Sequence, residues 1–163
     1  MMSTRPAYSP LQIGLHWLVA ILIFAAWFTH EDMGQALRQR IETGATGIEG
    51  NTLHVWLGGA AFLLILARIV VRMVSGAPAP EAQGGPLMAK AAVWGHRLLY
   101  ALMILAPMAG AAAWYGGVRE AGEVHETLGS ALFFIALAHA VVALVHHYVL
   151  KDGTLLRMIR PKA

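Results

Sequence analysis

His125 and His139 are fourteen positions apart in a run that reads as one membrane-spanning helix. Fourteen residues is close to four helical turns, so the two imidazoles share a face about 21 Å apart along the axis. A bilayer's hydrocarbon core is about 30 Å thick, so such a pair nearly spans it. Ionisable side chains inside lipid are expensive and mark functional sites. The spacing therefore predicts two ligand positions stacked across a membrane.

Partners for the two positions must come from the other six histidines. His30, beside Glu31 and Asp32, reads as a solvated helix end. His16 lies about two turns inside the inner end of the first apolar run, and His54 just inside the outer end of the second. His125 opens the last run at its outer face. By depth, His54 and His125 form an outer pair, while His16 is completed on the inner side by His139 or His146. Two neutral imidazoles on facing helices make the axial set of a low-spin b-type haem, which needs no covalent anchor. Such a site leaves no open coordination position and so suits electron transfer. Gly14 near His16, Gly58 and Gly59 one turn past His54, and Gly129 one turn past His125 offer flat surfaces for a macrocycle. Close helix packing is the alternative use of small residues in membranes. Metal transport is the rival chemistry, but it calls for His, Asp and Glu clustered at one depth. Here the candidates fall in two layers, and the inner one has no carboxylate. The chain has no cysteine, which excludes disulfides, iron–sulfur clusters and CxxCH haem attachment.

The elements that must hold these residues follow from composition. Of 163 residues, 58% are hydrophobic and 13% charged, too apolar for an ordinary soluble domain. Runs such as LVAILIFAAWF and AAFLLILARIVV lack the polar face of a soluble bundle helix. The prediction is an all-α, integral membrane four-helix bundle forming a single domain over residues 1–163. Its spans cover about 10–29, 52–74, 91–115 and 125–150, with an outer loop at 30–51 and an inner Pro/Gly linker at 75–88. Ser9-Pro10 starts the first span as an N-cap followed by proline, and the span reads as a retained helix, not a signal peptide. Asp32–Thr43 can form a short surface helix before GATGIEGN breaks it. Pro107 is expected to kink the third span. Trp17, Trp27, Trp56, Trp94 and Trp114 read as an interfacial belt, and the methionines as packing.

The pI of about 9.6 does not signal nucleic acid, because the basic residues are sorted by side. Arg5, Arg68, Arg72, Lys90, Arg97, Lys151, Arg157, Arg160 and Lys162 fall at one set of span ends, and only Arg38, Arg40 and Arg119 at the other. The positive-inside rule then places both termini in the cytoplasm.

The segments SPLQIGLHWLVAILI, NTLHVWLGGAAFLLILARIVVR, WGHRLLYALMILAPMAGAAAWY and HETLGSALFFIALAHAVVALVHHYVLKDGTLLRM resemble the bacterial cytochrome b561 family of four-helix, di-haem membrane proteins. The resemblance implies two haem b groups with His16, His54, His125 and His139 as axial ligands to iron. It pairs His16 with His139 and His54 with His125, and makes His146 a neighbour of a cytoplasmic-side quinone pocket. It also implies a multi-pass protein of the bacterial inner membrane. The implied activity is that of an oxidoreductase taking electrons from superoxide at the periplasmic side and passing them to ubiquinone. No catalytic residue is assigned. Arg68 and Arg72 are candidate partners for haem propionates, with snorkelling to lipid phosphate as the alternative. His96 and His147 suit headgroup or propionate hydrogen bonds.

The chain departs from the superoxide-oxidising pattern in one respect. Those relatives carry a long outer loop between the third and fourth spans, where this chain has only Gly116–Val124. Across its outer segments seven acidic residues face Arg38, Arg40 and Arg119. A quinol-linked donor to a periplasmic redox protein, or the cytochrome b anchor subunit of a larger oxidoreductase, is therefore the second expectation. A haem-free metal transporter is the third.

Overall fold

The computed structural model describes residues 8–78 and 85–161. Arg5, Lys162 and the middle of the inner linker lie outside the described residues. All regular structure among the described residues is helical, and four helices are long and apolar enough to cross a membrane.

The first of these, α1, spans Pro10–Trp27. Ser9 and Gln12 close a capping box: Gln12 N–H donates to Ser9 Oγ at 3.3 Å, and Ser9 N–H to Gln12 Oε1 at 3.0 Å. The surface helix α2 covers Met33–Thr43 and stops at Gly44, whose φ of 67° is open to glycine at little cost. The outer loop after it is tied down by Arg40, which is buried. Its guanidinium donates to the carbonyls of Trp114 and Gly47, each at 2.8 Å, and to that of Glu49. Trp114 Nε1–H donates to Asn51 Oδ1 at 2.8 Å, and Asn51 Nδ2–H to Tyr115 Oη at 3.0 Å. Trp114 is thus an internal residue, not part of an interfacial belt, while Trp17, Trp56 and Trp94 remain exposed. Trp27 stacks on Phe133 with ring centres 4.2 Å apart.

The second span, α3, covers Leu53–Ser75 and is capped by Thr52. The last two spans are longer than composition indicates. The third, α4, runs Gly85–Gly116 without a break at Pro107, starting earlier than residue 91 because nothing after Pro86 opposes a helix. The fourth, α5, runs Arg119–Tyr148. It extends two turns outward of His125, leaving Gly117 and Val118 alone as the connection. Gly117 turns the chain with φ 68°. A side chain at Gly122 would come within 3.1 Å of Leu37 on α2, so this glycine allows the extended helix to reach the surface helix.

Packing joins α1 to α3 and α4 to α5 most extensively, and lighter α3–α4 and α1–α5 contacts close the ring. Val19, Ile65, Leu99, Leu102, Met103 and Leu132 form the buried core. Leu132 lies midway in sequence between His125 and His139, so the apolar core separates the two histidine layers. The opposite surfaces stay apolar, with Leu63, Val70, Phe134 and Val141 exposed, as lipid contact requires. At the inner end Gln12 Nε2–H donates to Gly76 O at 2.9 Å, joining the start of α1 to the end of α3.

Candidate functional site

In the outer layer, the rings of His54 on α3 and His125 on α5 have centres 5.8 Å apart. Each is held by a backbone carbonyl of a neighbouring helix. His54 Nδ1–H donates to Ala26 O at 2.9 Å, in the last turn of α1. His125 Nδ1–H donates to Ala106 O at 2.7 Å, on α4. A carbonyl can only accept, so both rings carry their proton on Nδ1 and leave Nε2 with a free lone pair. That tautomer leaves Nε2 able to ligate a metal, and the hydrogen bond at Nδ1 orients the ring. Gly110 makes room for His125: a Cβ there would lie 2.9 Å from its Nδ1 and 3.0 Å from its Cε1.

In the inner layer, the rings of His16 on α1 and His139 on α5 have centres 6.5 Å apart. His139, not His146, is therefore the imidazole that faces His16. His96 on α4 adds a third ring, centred 5.2 Å from that of His139, and donates Nδ1–H to Ala92 O at 2.6 Å. Arg68 on α3 donates from Nη1 to His16 Nδ1 at 2.7 Å and from Nε to Tyr100 Oη at 3.3 Å. The Arg72 guanidinium lies 5.7 Å from the centre of the Tyr100 ring.

Both spacings suit a shared iron. Metal–nitrogen bonds of about 2 Å, plus about 1 Å from each nitrogen to its ring centre, put two axial imidazoles about 6 Å apart. A Cβ at Gly14, Gly58, Gly59 or Gly129 would meet nothing within 4 Å. One feature differs between layers. A guanidinium only donates, so His16 accepts at Nδ1 and carries its proton on Nε2, the reverse of the outer pair. Use of Nε2 as a ligand requires Arg68 to release Nδ1 to another partner. Among the described residues no three His, Asp or Glu side chains gather as a metal-ion cluster.

His146 sits at the inner end of α5 with Nδ1 2.5 Å from Asp152 Oδ2. Asp152 has no exposed side-chain surface and also accepts from Thr154 N–H at 2.9 Å. Burial pushes the Asp152 carboxyl up, but the hydrogen bonds from His146 and Thr154 outweigh it and hold the group down at about 2. The segment after α5 folds back to α1, where Trp17 Nε1–H donates to Met158 O at 2.6 Å. His30 is half-buried against Trp27 and hydrogen-bonded to its carbonyl, so it is not a freely solvated end. His147 packs on Tyr148. Sequence reasoning missed Tyr100, Gly110 and Asp152. Tyr100 stands one turn beyond His96, a spacing that could have drawn attention to it. Gly110 and Asp152 acquire their roles only from helix pairing and the folded-back tail.

The sequence profile of the prokaryotic cytochrome b561 family matches residues 7–161. The chain belongs to this family. It is thus a b-type membrane cytochrome of an electron-transfer family. Among relatives, the cytochrome b562 of Cereibacter sphaeroides is 42% identical over 164 positions, covering 99% of this chain and all of that protein. The probable superoxide oxidase CybB of Yersinia pestis is 32% identical over 176 positions, covering 95% of this chain and 97% of that protein. That alignment is longer than this chain, so the relative holds residues that this cytochrome lacks. Cytochrome b561 homolog 1 of Escherichia coli is 28% identical over 174 positions.

Proposed function

We propose that this cytochrome carries electrons across the bacterial inner membrane between a periplasmic donor and ubiquinone, through two bis-histidine haem b sites. The observation that carries the reading is the presence of two imidazole pairs, at 5.8 and 6.5 Å, in separate layers of one bundle. His54 and His125 hold the outer haem, and His16 and His139 the inner one. Haem b supplies one-electron redox chemistry when bound. Arg68 and Arg72 offer guanidinium forks to haem propionates, which gives Arg68 the alternative partner that frees His16. His146, its Nδ1 committed to Asp152, keeps Nε2 to hold a proton beside the quinone. Both termini face the cytoplasm.

Superoxide oxidation is the leading specific activity, supported by the relative named as a probable superoxide oxidase. Two superoxide anions lose one electron each to become dioxygen, and one quinone gains two electrons and two protons to become quinol. The acidic outer surface favours a second reading, in which a cationic periplasmic redox protein docks there. Arg40 is spent on three backbone carbonyls, so Arg38 and Arg119 are the exposed outer cations among the described residues, against seven carboxylates.

The test is a reduced-minus-oxidised spectrum with haem stoichiometry for the purified protein and for His54→Ala and His139→Ala. Two low-spin b haems per chain are expected, with one lost or turned high-spin in each variant. A correctly inserted wild type that stays colourless when supplied with haem returns the histidines to packing or metal transport. Adding superoxide, ubiquinone or a cationic redox protein to the haem-loaded protein then separates the two donor readings.

A further inference from the structure

The segment after α5 turns back along the bundle. His146 follows His139 by two helical turns, about 10 Å further toward the inner end. Asp152 fastens the chain there, its Oδ2 2.5 Å from His146 Nδ1. By Met158 the chain has returned to Trp17, the neighbour of His16, whose Nε1–H donates to Met158 O at 2.6 Å. The tail thus runs from beyond the inner histidine layer back to near its level. The two layers are about 21 Å apart, in a hydrocarbon core about 30 Å thick. Residues 152–158 therefore straddle the boundary between hydrocarbon and headgroups.

The backbone and the side chains suit that depth. Arg157 N–H donates to Gly153 O at 3.2 Å, Met158 N–H to Leu155 O at 3.0 Å and Arg160 N–H to Leu156 O at 2.9 Å. The turn meets its own hydrogen-bonding needs where water is scarce. Leu156 and Ile159 are exposed, and the exposed cations Lys151 and Arg160 flank them in sequence. Lys151 alone among the described non-glycine residues has a left-handed backbone, with φ 54°, so the chain turns out of α5 at a cation. Among the described residues the inner side has one carboxylate, Asp152, and its side chain has no exposed surface. A zwitterionic headgroup brings an ammonium that finds no exposed anion here, whereas an anionic headgroup brings phosphate without it. A soluble acidic partner would leave Leu156 and Ile159 without apolar cover.

We infer that residues 150–160 form an interfacial binding surface for anionic phospholipid. Lys151 and Arg160 meet lipid phosphates, and Leu156 and Ile159 lie among the first carbons of the acyl chains. Asp152 and Trp17 hold the segment at that depth from its two ends. The surface lies apart from the histidine layers and goes beyond the electron-transfer reading, so it stands whatever the donor and acceptor are.

Native mass spectrometry of the purified full-length protein tests this, with phosphatidylglycerol and phosphatidylcholine of the same acyl chains supplied in equal amounts. Wild type should retain phosphatidylglycerol in preference. Lys151→Asn and Arg160→Gln should each reduce that preference about fivefold, the worth of one basic residue at an anionic leaflet. Both side chains are exposed, and asparagine tolerates the backbone of Lys151, so neither change threatens the fold. Arg38→Gln and Arg119→Gln, which remove exposed cations of the outer face, should leave the preference as it is. Equal retention of the two lipids by wild type overturns the inference, as does an unmoved preference when Lys151→Asn and Arg160→Gln are combined. An equal fall in the outer-face variants overturns it too, because net charge and not the tail is then choosing the lipid.

Discussion

A single ring orientation, that of His125, depends on an atom that is missing by design. Gly110 has no Cβ, and that absence lets the imidazole lie against α4 with Nδ1–H on Ala106 O. In Gly110→Ala the new methyl would sit within 3.0 Å of the ring. The neighbours must then shift, an overpacking that costs about 1–3 kcal/mol. The expected result is selective: the outer haem is lost or becomes high-spin while the inner haem keeps its low-spin spectrum. Haem content per chain and the reduced-minus-oxidised spectrum measure it, and equal loss of both haems would mean general misfolding. His16 shows the same dependence on a neighbour, because its proton position follows from Arg68 and not from its own helix.

Two elements outside the spans are held by buried polar residues. Arg40 fastens the outer loop through three carbonyls, and Asp152 fastens the inner tail through His146 and Thr154. Asp152 has a titration consequence. Its carboxyl sits at about 2 in the folded chain and near 4 when unfolded. Because the folded value is depressed, the stabilisation is complete above about pH 4 and is lost as pH falls through about 2. It amounts to about 2 kcal/mol, at 1.36 kcal/mol per unit. Limited proteolysis of residues 150–160 in lipid nanodiscs should stay flat down to pH 4 and rise below it. Asp152→Ala should show the low-pH cleavage rate already at neutral pH. A tail equally protected in that variant would leave the Trp17–Met158 bond as its anchor.

For the molecule as a whole, charge is arranged along the membrane normal. The outer face carries seven carboxylates and two exposed arginines, while the guanidiniums within the spans cluster at the inner layer. The face must act differently on the two donor classes. Superoxide is an anion, so added salt screens its repulsion and should raise the rate of haem reduction. A cationic redox protein is attracted, and added salt should lower its rate. Stopped-flow reduction at 20 and 200 mM salt, about 20 and 7 Å of Debye length, would read the sign for each donor. A salt-independent superoxide rate would point to a local entrance shielded from the acidic surface.

The membrane class, the four spans and the two-layer depth of the histidines were legible in the sequence, because lipid forces long apolar runs and helical spacing fixes height along an axis. The start of α1 at Ser9-Pro10 was equally legible, since a cap is a local interaction. Span ends were not: α4 and α5 each begin about two turns before the expected start, because a helix continues past the hydrocarbon region wherever no breaker intervenes. Whether His139 or His146 faces His16 could not be read from spacing alone, as both lie on one face of α5. Only the tertiary structure decides that, by setting α1 beside His139 and turning the tail so that Asp152 takes His146. The same holds for Gly110, Tyr100 and Arg68, whose roles come from contacts between helices that are distant in the chain.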